Sequence, residues 1–187
     1  MSAKNYVKAI LEELANNQQY LCDEQLNQVI EAILGAGHIF TAGAGRSGVA
    51  IRAFTNRLMH LGFSVSNIGE ISVPHSKAGD LVIIGSGSGE TESLVALARK
   101  AVKSGVKVVL ITMDKNSTIA QMAEAVAVLP GVSPKLKNAG MDITSIQPMG
   151  SAFEQMMFLT YDAIIMELME RMGQNSEEMF TRHADFE

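Results

Sequence analysis

Apolar residues at Tyr6, Val7, Ile10, Leu11 and Leu14 recur at three- and four-residue intervals, which predicts an amphipathic helix over 3–17. A second helix is expected from Asp23, placed as its N-cap, to Gly35, with Leu26, Val29, Ile30, Ile33 and Leu34 apolar. The pattern then shortens. Residues 38–42 (HIFTA) read as a strand running into Gly43-Ala44-Gly45-Arg46-Ser47-Gly48, followed by a helix over 49–61 and a strand near 63–68. Residues 81–84 (LVII) form a buried type of strand that ends in Ser86-Gly87-Ser88-Gly89-Glu90-Thr91. A helix over 92–103, a strand over 106–111, a short helix near 117–123 and a strand over 125–129 complete the series. Short apolar strands alternating with helices predict a parallel sheet covered on both faces: five strands in a three-layer α/β/α sandwich. Residues 130–147 are polar and irregular, long enough to suggest a functional loop. The last long helix, 151–172, is apolar on nearly every side between Met156 and Met166, and a small domain has little room to bury it. Contact between copies of the chain is the expected outlet.

Composition narrows the class. The 187 residues are 47% hydrophobic and 19% charged, enough to bury a core and the right length for one domain over 1–187. That domain divides into N-terminal helices over 1–36, an α/β core over 37–130, a loop over 131–150 and C-terminal helices over 151–187. The sole cysteine, Cys22, excludes an internal disulfide and any multi-cysteine metal site. With 15 basic against 20 acidic residues there is no overall basic field, so nucleic acid is not an expected partner. No uncharged apolar run reaches the ~20 residues that would span a bilayer, and residues 1–14 lack a signal-peptide pattern. No membrane partner is expected, and the location is read as cytoplasmic.

Candidate chemistry gathers at two glycine-serine segments. In a flavodoxin-like 2-1-3-4-5 strand order, the first and third strands are neighbours, and both segments face one crevice beyond the strands' carboxyl ends. Ser86, Ser88 and Thr91 offer three hydroxyls within six residues, while Gly87 and Gly89 let the backbone approach a ligand. The helix that follows adds N–H groups and the positive end of its dipole, a combination suited to a phosphate monoester. The plainer alternative is a serine-rich turn with Ser88 or Thr91 capping the helix. The first segment also fits Gly-x-Gly-x-x-Gly, the dinucleotide fingerprint, with Glu70 as a possible ribose acceptor. That reading ranks second among enzyme readings, since the remaining chain is short for a separate substrate domain. No lysine follows the second segment's glycines, so it is not a Walker P-loop.

Gly45-Arg46-Ser47-Gly48 and Ser86-Gly87-Ser88-Gly89-Glu90-Thr91 resemble the sugar isomerase (SIS) domain family. The likeness extends through residues 57–63, through 147–155 (QPMGSAFEQ) and to the ending 182–187 (RHADFE), and so over nearly the whole chain. These further segments are similar to the branch of that family that acts on 3-hexulose 6-phosphate. The resemblance implies a flavodoxin-like SIS fold and interconversion of 3-hexulose 6-phosphate with fructose 6-phosphate, a step of formaldehyde fixation through ribulose monophosphate. It further implies no metal or organic cofactor, and a homo-oligomer, commonly a tetramer with a dimer as the alternative, with active sites near subunit boundaries. Carried over by motif, Ser86, Ser88 and Thr91 hold the phosphate with the Gly87 backbone and Ser47, and Arg46 lies beside the sugar.

Moving a carbonyl from C3 to C2 needs a proton to leave one carbon and return to its neighbour through an enediol. One carboxylate can make both transfers while an acid partner serves the oxygens. Glu154 is the candidate base. By spacing alone, Ser151-x-x-Glu154 reads as a capping box at the start of the last long helix, and it is the resemblance that gives Glu154 the catalytic role. Among the histidines, His38 reads as structural, and His75 lies in a loop that could approach the crevice. His60 closes a helix, where its charge would complement the dipole. His183 matches the family's terminal Arg-His motif and is the first choice for the acid partner, with His60 second. Lys135 and Lys137 could reach a phosphate from the long loop. Two other functions stay open: a non-catalytic sugar-phosphate sensor, and an SIS isomerase for arabinose 5-phosphate or sedoheptulose 7-phosphate.

Overall fold

Hydrophobic alternation in the central strands sends side chains to both sides of one parallel sheet, and helices cover each side. The structure is a computed structural model and describes residues 2–134, 136 and 143–185. Its strands are β1 (Ile39–Gly43), β2 (Val65–Asn67), β3 (Leu81–Gly85), β4 (Lys107–Thr112) and β5 (Ala125–Val128). All pair in parallel, in the order β2-β1-β3-β4-β5, the flavodoxin-like order expected. The helices are α1 (Ala3–Asn17), α2 (Asp23–Leu34), α3 (Gly45–His60), α4 (Glu92–Lys103), α5 (Ser151–Met172) and α6 (Ser176–Phe180). On one face Ile39, Leu81, Ile83, Val109 and Ile111 pack with Ile30 of α2, Ile51 and Phe54 of α3, and Phe153 and Met157 of α5. On the other, Phe40, Val82, Ile84, Val108 and Leu110 pack with Leu94, Val95 and Ala98 of α4. Layers therefore follow from the two-residue period of each strand.

Three expectations are corrected. α3 begins at Gly45, not at residue 49, so Gly45-Arg46-Ser47-Gly48 is a first helical turn and not a loop. The early start depends on Gly45, whose φ is 57°, and on a close crossing of strand and helix. A Cβ at Gly48 would stand 2.8 Å from the Gly43 carbonyl oxygen, so bare backbone is what lets α3 turn back onto β1. Second, Asp23 is the first residue of α2 and Cys22 is its N-cap, with no side-chain capping bond. Third, the helix expected near 117–123 shrinks to a 3₁₀ turn, Ala120–Met122. There the preceding segment is held from outside: the Thr118 N–H donates to the Glu90 carboxylate, and the Ala120 N–H to the Ser117 hydroxyl at 3.4 Å.

The apolar stripe of α1 does not go into the core. Leu14 is buried, but Tyr6, Val7 and Leu11 face outward. α5 buries Phe153, Met157, Tyr161, Ile164 and Leu168 while leaving Phe158, Leu159 and Met166 exposed. Between these outward faces runs an apolar groove of about 380 Å³, lined by Leu11, Val49, Phe158 and Leu159, with Arg46 and Glu154 at its edge. α5 ends at Gly173, left-handed at φ 63°, where the Gln174 N–H donates to the Met169 carbonyl at 2.9 Å. α6 opens with a reciprocal capping box between Asn175 and Glu178. Among the described residues, no helix is long and apolar enough to cross a membrane.

Candidate active site

Beyond the carboxyl ends of β1 and β3 lies a cavity of about 620 Å³. It is lined by Arg46, Ser47, Ser86, Gly87, Ser88, Thr91 and Glu154, so seven of the nine residues singled out from sequence meet in one place. Met113, Ser133, Met149 and Phe153 also line it, and sequence reasoning did not single them out.

Three helices start at this cavity, and none is capped by a side chain. Ala44 precedes α3, Thr91 precedes α4 and Gly150 precedes α5, each without a side-chain capping bond. A helix leaves its first N–H groups unsatisfied unless something caps them, and each start carries the positive end of a dipole. Three such ends converging without a side-chain cap favour an anion in this pocket. The Thr91 hydroxyl stands at the N-cap position without capping, which removes the bland alternative for that residue. Ser86 is 4% exposed, and its hydroxyl accepts the Gly89 N–H at 3.2 Å, drawing the serine segment into a tight turn. Ser88 accepts the Glu90 N–H at 3.3 Å. The Gly87 carbonyl is held by the Met113 N–H at 3.0 Å and the Thr112 hydroxyl at 3.1 Å, which fixes its peptide against β4. A Cβ at Gly87 would stand 2.7 Å from the Met113 Cε.

Gly89 shows how tightly this turn is built. Its φ is 61°, and a Cβ there would stand 2.0 Å from the Ser117 hydroxyl oxygen. Gly89→Ala is expected to lower stability by about 2–4 kcal/mol, from left-handed strain and overpacking together. Its affinity for inorganic phosphate should fall about tenfold, since the turn that presents Ser86 and Ser88 must shift. Thermal unfolding and a phosphate titration read the two effects separately; wild-type values in both would refute the account.

Glu154 does not cap α5. Gly150 is the N-cap and Ser151 the first helical residue, one step later than the capping-box reading requires. Both side chains turn instead to α3: the Arg46 Nη1 donates to the Ser151 hydroxyl at 2.7 Å and lies 3.2 Å from the Glu154 Oε2. Arg46 is 60% exposed and Glu154 20%, so the carboxylate sits in the wall while the guanidinium reaches across the opening. Among the described lining residues they are the single cation and the single carboxylate. Beneath the floor, Tyr161 is stacked on Phe54 at 4.4 Å, and burial pushes its phenol pKa well above the ordinary value.

The histidines lie elsewhere. α3 is 16 residues long, about 24 Å at 1.5 Å per residue, and His60 closes its far end. His183 stacks on His60 with ring centroids 5.3 Å apart, and the Arg57 Nη1 lies 3.2 Å from the His60 Nδ1. Arginine can only donate, so in this contact the His60 Nδ1 is the acceptor. The pair lines a second cavity of about 440 Å³ with Asp162, Phe180 and Met179. Within one chain, then, the structure does not bring His60 or His183 to Glu154. His38 is structural, bonded to the Ser64 hydroxyl at 2.7 Å and the Ser66 hydroxyl at 3.1 Å. Burial holds its pKa below the ordinary value although Asp80 pulls the other way. His75 and Glu70 are exposed and do not line the cavity, so the dinucleotide reading loses its ribose acceptor. Lys135 and Lys137 lie outside the described residues.

At the rim, Pro148, Met149 and Gly150 form a turn closed by the Ser151 N–H donating to the Pro148 carbonyl at 3.2 Å. Met149 has φ 56°, and Gly150 follows at φ −98° and ψ 17°. A turn with positive φ at its first central position and negative φ at its second favours glycine in the first. Here methionine takes that position and glycine the undemanding one, an arrangement that costs about 1–2 kcal/mol.

A doubly wound sheet with a hydroxyl-lined anion pocket at its switch point defines a class, and the chain belongs to the SIS domain family, whose model matches residues 32–161. Over 187 residues, covering 100% of both chains, it is 48% identical to a protein of Bacillus subtilis (strain 168) named 3-hexulose-6-phosphate isomerase. A protein of the same name from Mycobacterium gastri is 35% identical over 98% of this chain and 90% of its own. Among solved structures, a Methanococcus jannaschii protein whose crystal structure infers a molecular function of 3-hexulose-6-phosphate isomerase superposes with a TM-score of 0.81. It is 31% identical, with 95% of this chain and 98% of that one covered.

Proposed function

We propose that the chain is a 3-hexulose-6-phosphate isomerase, interconverting D-arabino-3-hexulose 6-phosphate and fructose 6-phosphate through a 2,3-enediol. The observation that carries this reading is the cavity itself: three helix starts without side-chain caps and a set of hydroxyls, with one carboxylate, Glu154, on the first turn of α5. A dianionic phosphate bound by Ser86, Ser88, Thr91, Ser47 and the Gly87 backbone lets the carbon chain extend toward Glu154. Glu154 takes the proton from one carbon and returns it to the next, and Arg46 stands beside the sugar oxygens. The full-length likeness to proteins named for this activity supports the choice of substrate.

The acid partner comes from another copy of the chain. His183, with His60 behind it, sits at the far end of α3, so a neighbour must bring that end to the Glu154 cavity. Outward apolar faces on α1 and α5 support a homo-oligomer, with a tetramer as the expected form and a dimer as the alternative. The chain works as one SIS unit in the cytoplasm, with no metal or organic cofactor in the reaction.

Incubation with fructose 6-phosphate in deuterated water tests the activity. Deuterium should appear at C3 together with the 3-hexulose product. Incorporation at C1 alone would mean an aldose–ketose shift, and tight binding without any exchange would mean a sensor; either result overturns the reading.

A further inference from the structure

We infer that Met149 is a specificity residue of this site, the cover that keeps the enediol on the isomerisation path. The inference rests on the isomerase reading above. Two independent observations meet at this residue. Its backbone is held left-handed at the one turn position that favours glycine, with glycine itself placed next door. Its side chain lines the substrate cavity and is 76% exposed in the single chain, an apolar surface at the mouth. Strain of this kind persists where surrounding structure enforces it and clusters at ligand clamps. A turn that needed only its shape would carry glycine at that position.

The chemistry shows what such a cover does. In the 2,3-enediolate, the electron pair on O2 can form the C2 carbonyl and push the C2–C3 π pair into C3–C4. Hydroxide then leaves C4 and takes up a proton as water. The product is the enol of a 4-deoxy-2,3-diketone, a dead end that loses the substrate. Expelled hydroxide needs water to receive it, so apolar side chains at the reacting carbons, Met149 at the mouth with Met113 and Phe153 in the same lining, disfavour the departure while leaving proton transfer at Glu154 untouched. Met149, Met113 and Phe153 all contribute apolar surface to the cavity that Glu154 lines.

The test compares Met149→Gly and Met149→Asn, which both suit a left-handed position, with Met149→Leu, which keeps an apolar cover. Each is assayed for isomerisation, for diketone trapped as its quinoxaline with o-phenylenediamine, and for melting temperature. The Gly and Asn variants should melt no lower than about 2 °C below wild type, a small fraction of overall stability. Their kcat/KM should fall about tenfold, and diketone formed per turnover should rise about tenfold. Met149→Leu should stay within about threefold of wild type in both. Wild-type turnover and an unchanged diketone ratio in the folded Gly and Asn variants would overturn the role of Met149 and leave the isomerase reading standing. If the wild type itself does not interconvert the two ketoses, the isomerase reading fails first and the role of Met149 falls with it.

Discussion

Glu154→Gln should lower kcat by about a thousandfold while KM for fructose 6-phosphate moves only a few-fold. General-base transfer contributes about 10²–10⁴-fold, and Glu154 is the single carboxylate among the described residues lining the cavity. The amide is nearly isosteric, and its carbonyl oxygen can still accept from Arg46, 3.2 Å away in the parent. The proposed phosphate groups, the hydroxyls of Ser86, Ser88 and Thr91, are unchanged in the variant, so binding should change little. Because Gly150 and not Ser151 caps α5, loss of a helix cap offers no competing account of a kinetic defect. Stopped turnover with an unchanged melting temperature is the expected pair of results. Near-normal turnover would remove Glu154 from the mechanism.

Leu11→Asp combined with Leu159→Asp should dissociate the proposed oligomer and reduce turnover about a hundredfold, the lower end of the contribution of an acid partner. Both side chains are more than half exposed in the single chain, at 61% and 52%, so the charges should leave the fold of one copy intact. Both line the groove that has Arg46 and Glu154 at its edge. A separated copy keeps its phosphate pocket but has its own His60 and His183 at the wrong end of α3. Sedimentation, a phosphate titration and a turnover assay together should give a monomer that binds and does not turn over. A fully active monomer would show that the acid partner lies within one chain, contrary to the proposal.

What the sequence revealed divides along physical lines. The strands were legible because each central strand is a short, continuous apolar run, and α3 and α4 mark two of the four crossovers; the other two carry no α-helix. That Ser86, Ser88 and Thr91 line one cavity was legible because they are local neighbours at the carboxyl end of one strand. The start of α3 was not, since glycine at 45 and 48 reads as loop until the crossing with Gly43 is visible. Nor was the partnership of Arg46 with Ser151 and Glu154, which joins residues more than a hundred positions apart. Met149 escaped notice because a methionine before a glycine carries no sign of which of the two takes the left-handed position. The placing of His60 and His183 depends on the length of α3 and on a stacking contact, and no local pattern encodes either.

The borders of the sheet carry a consequence for how copies can meet. β2 has three residues and β5 four, the shortest strands of the sheet. The Val128 N–H of β5 is already taken by the Gln25 side chain of α2 at 2.9 Å. Stubby, partly satisfied margins give a foreign strand little to zip onto, which is the usual defence against fibre growth. Self-association is thereby steered to helix surfaces, where a symmetric contact closes on itself instead of propagating.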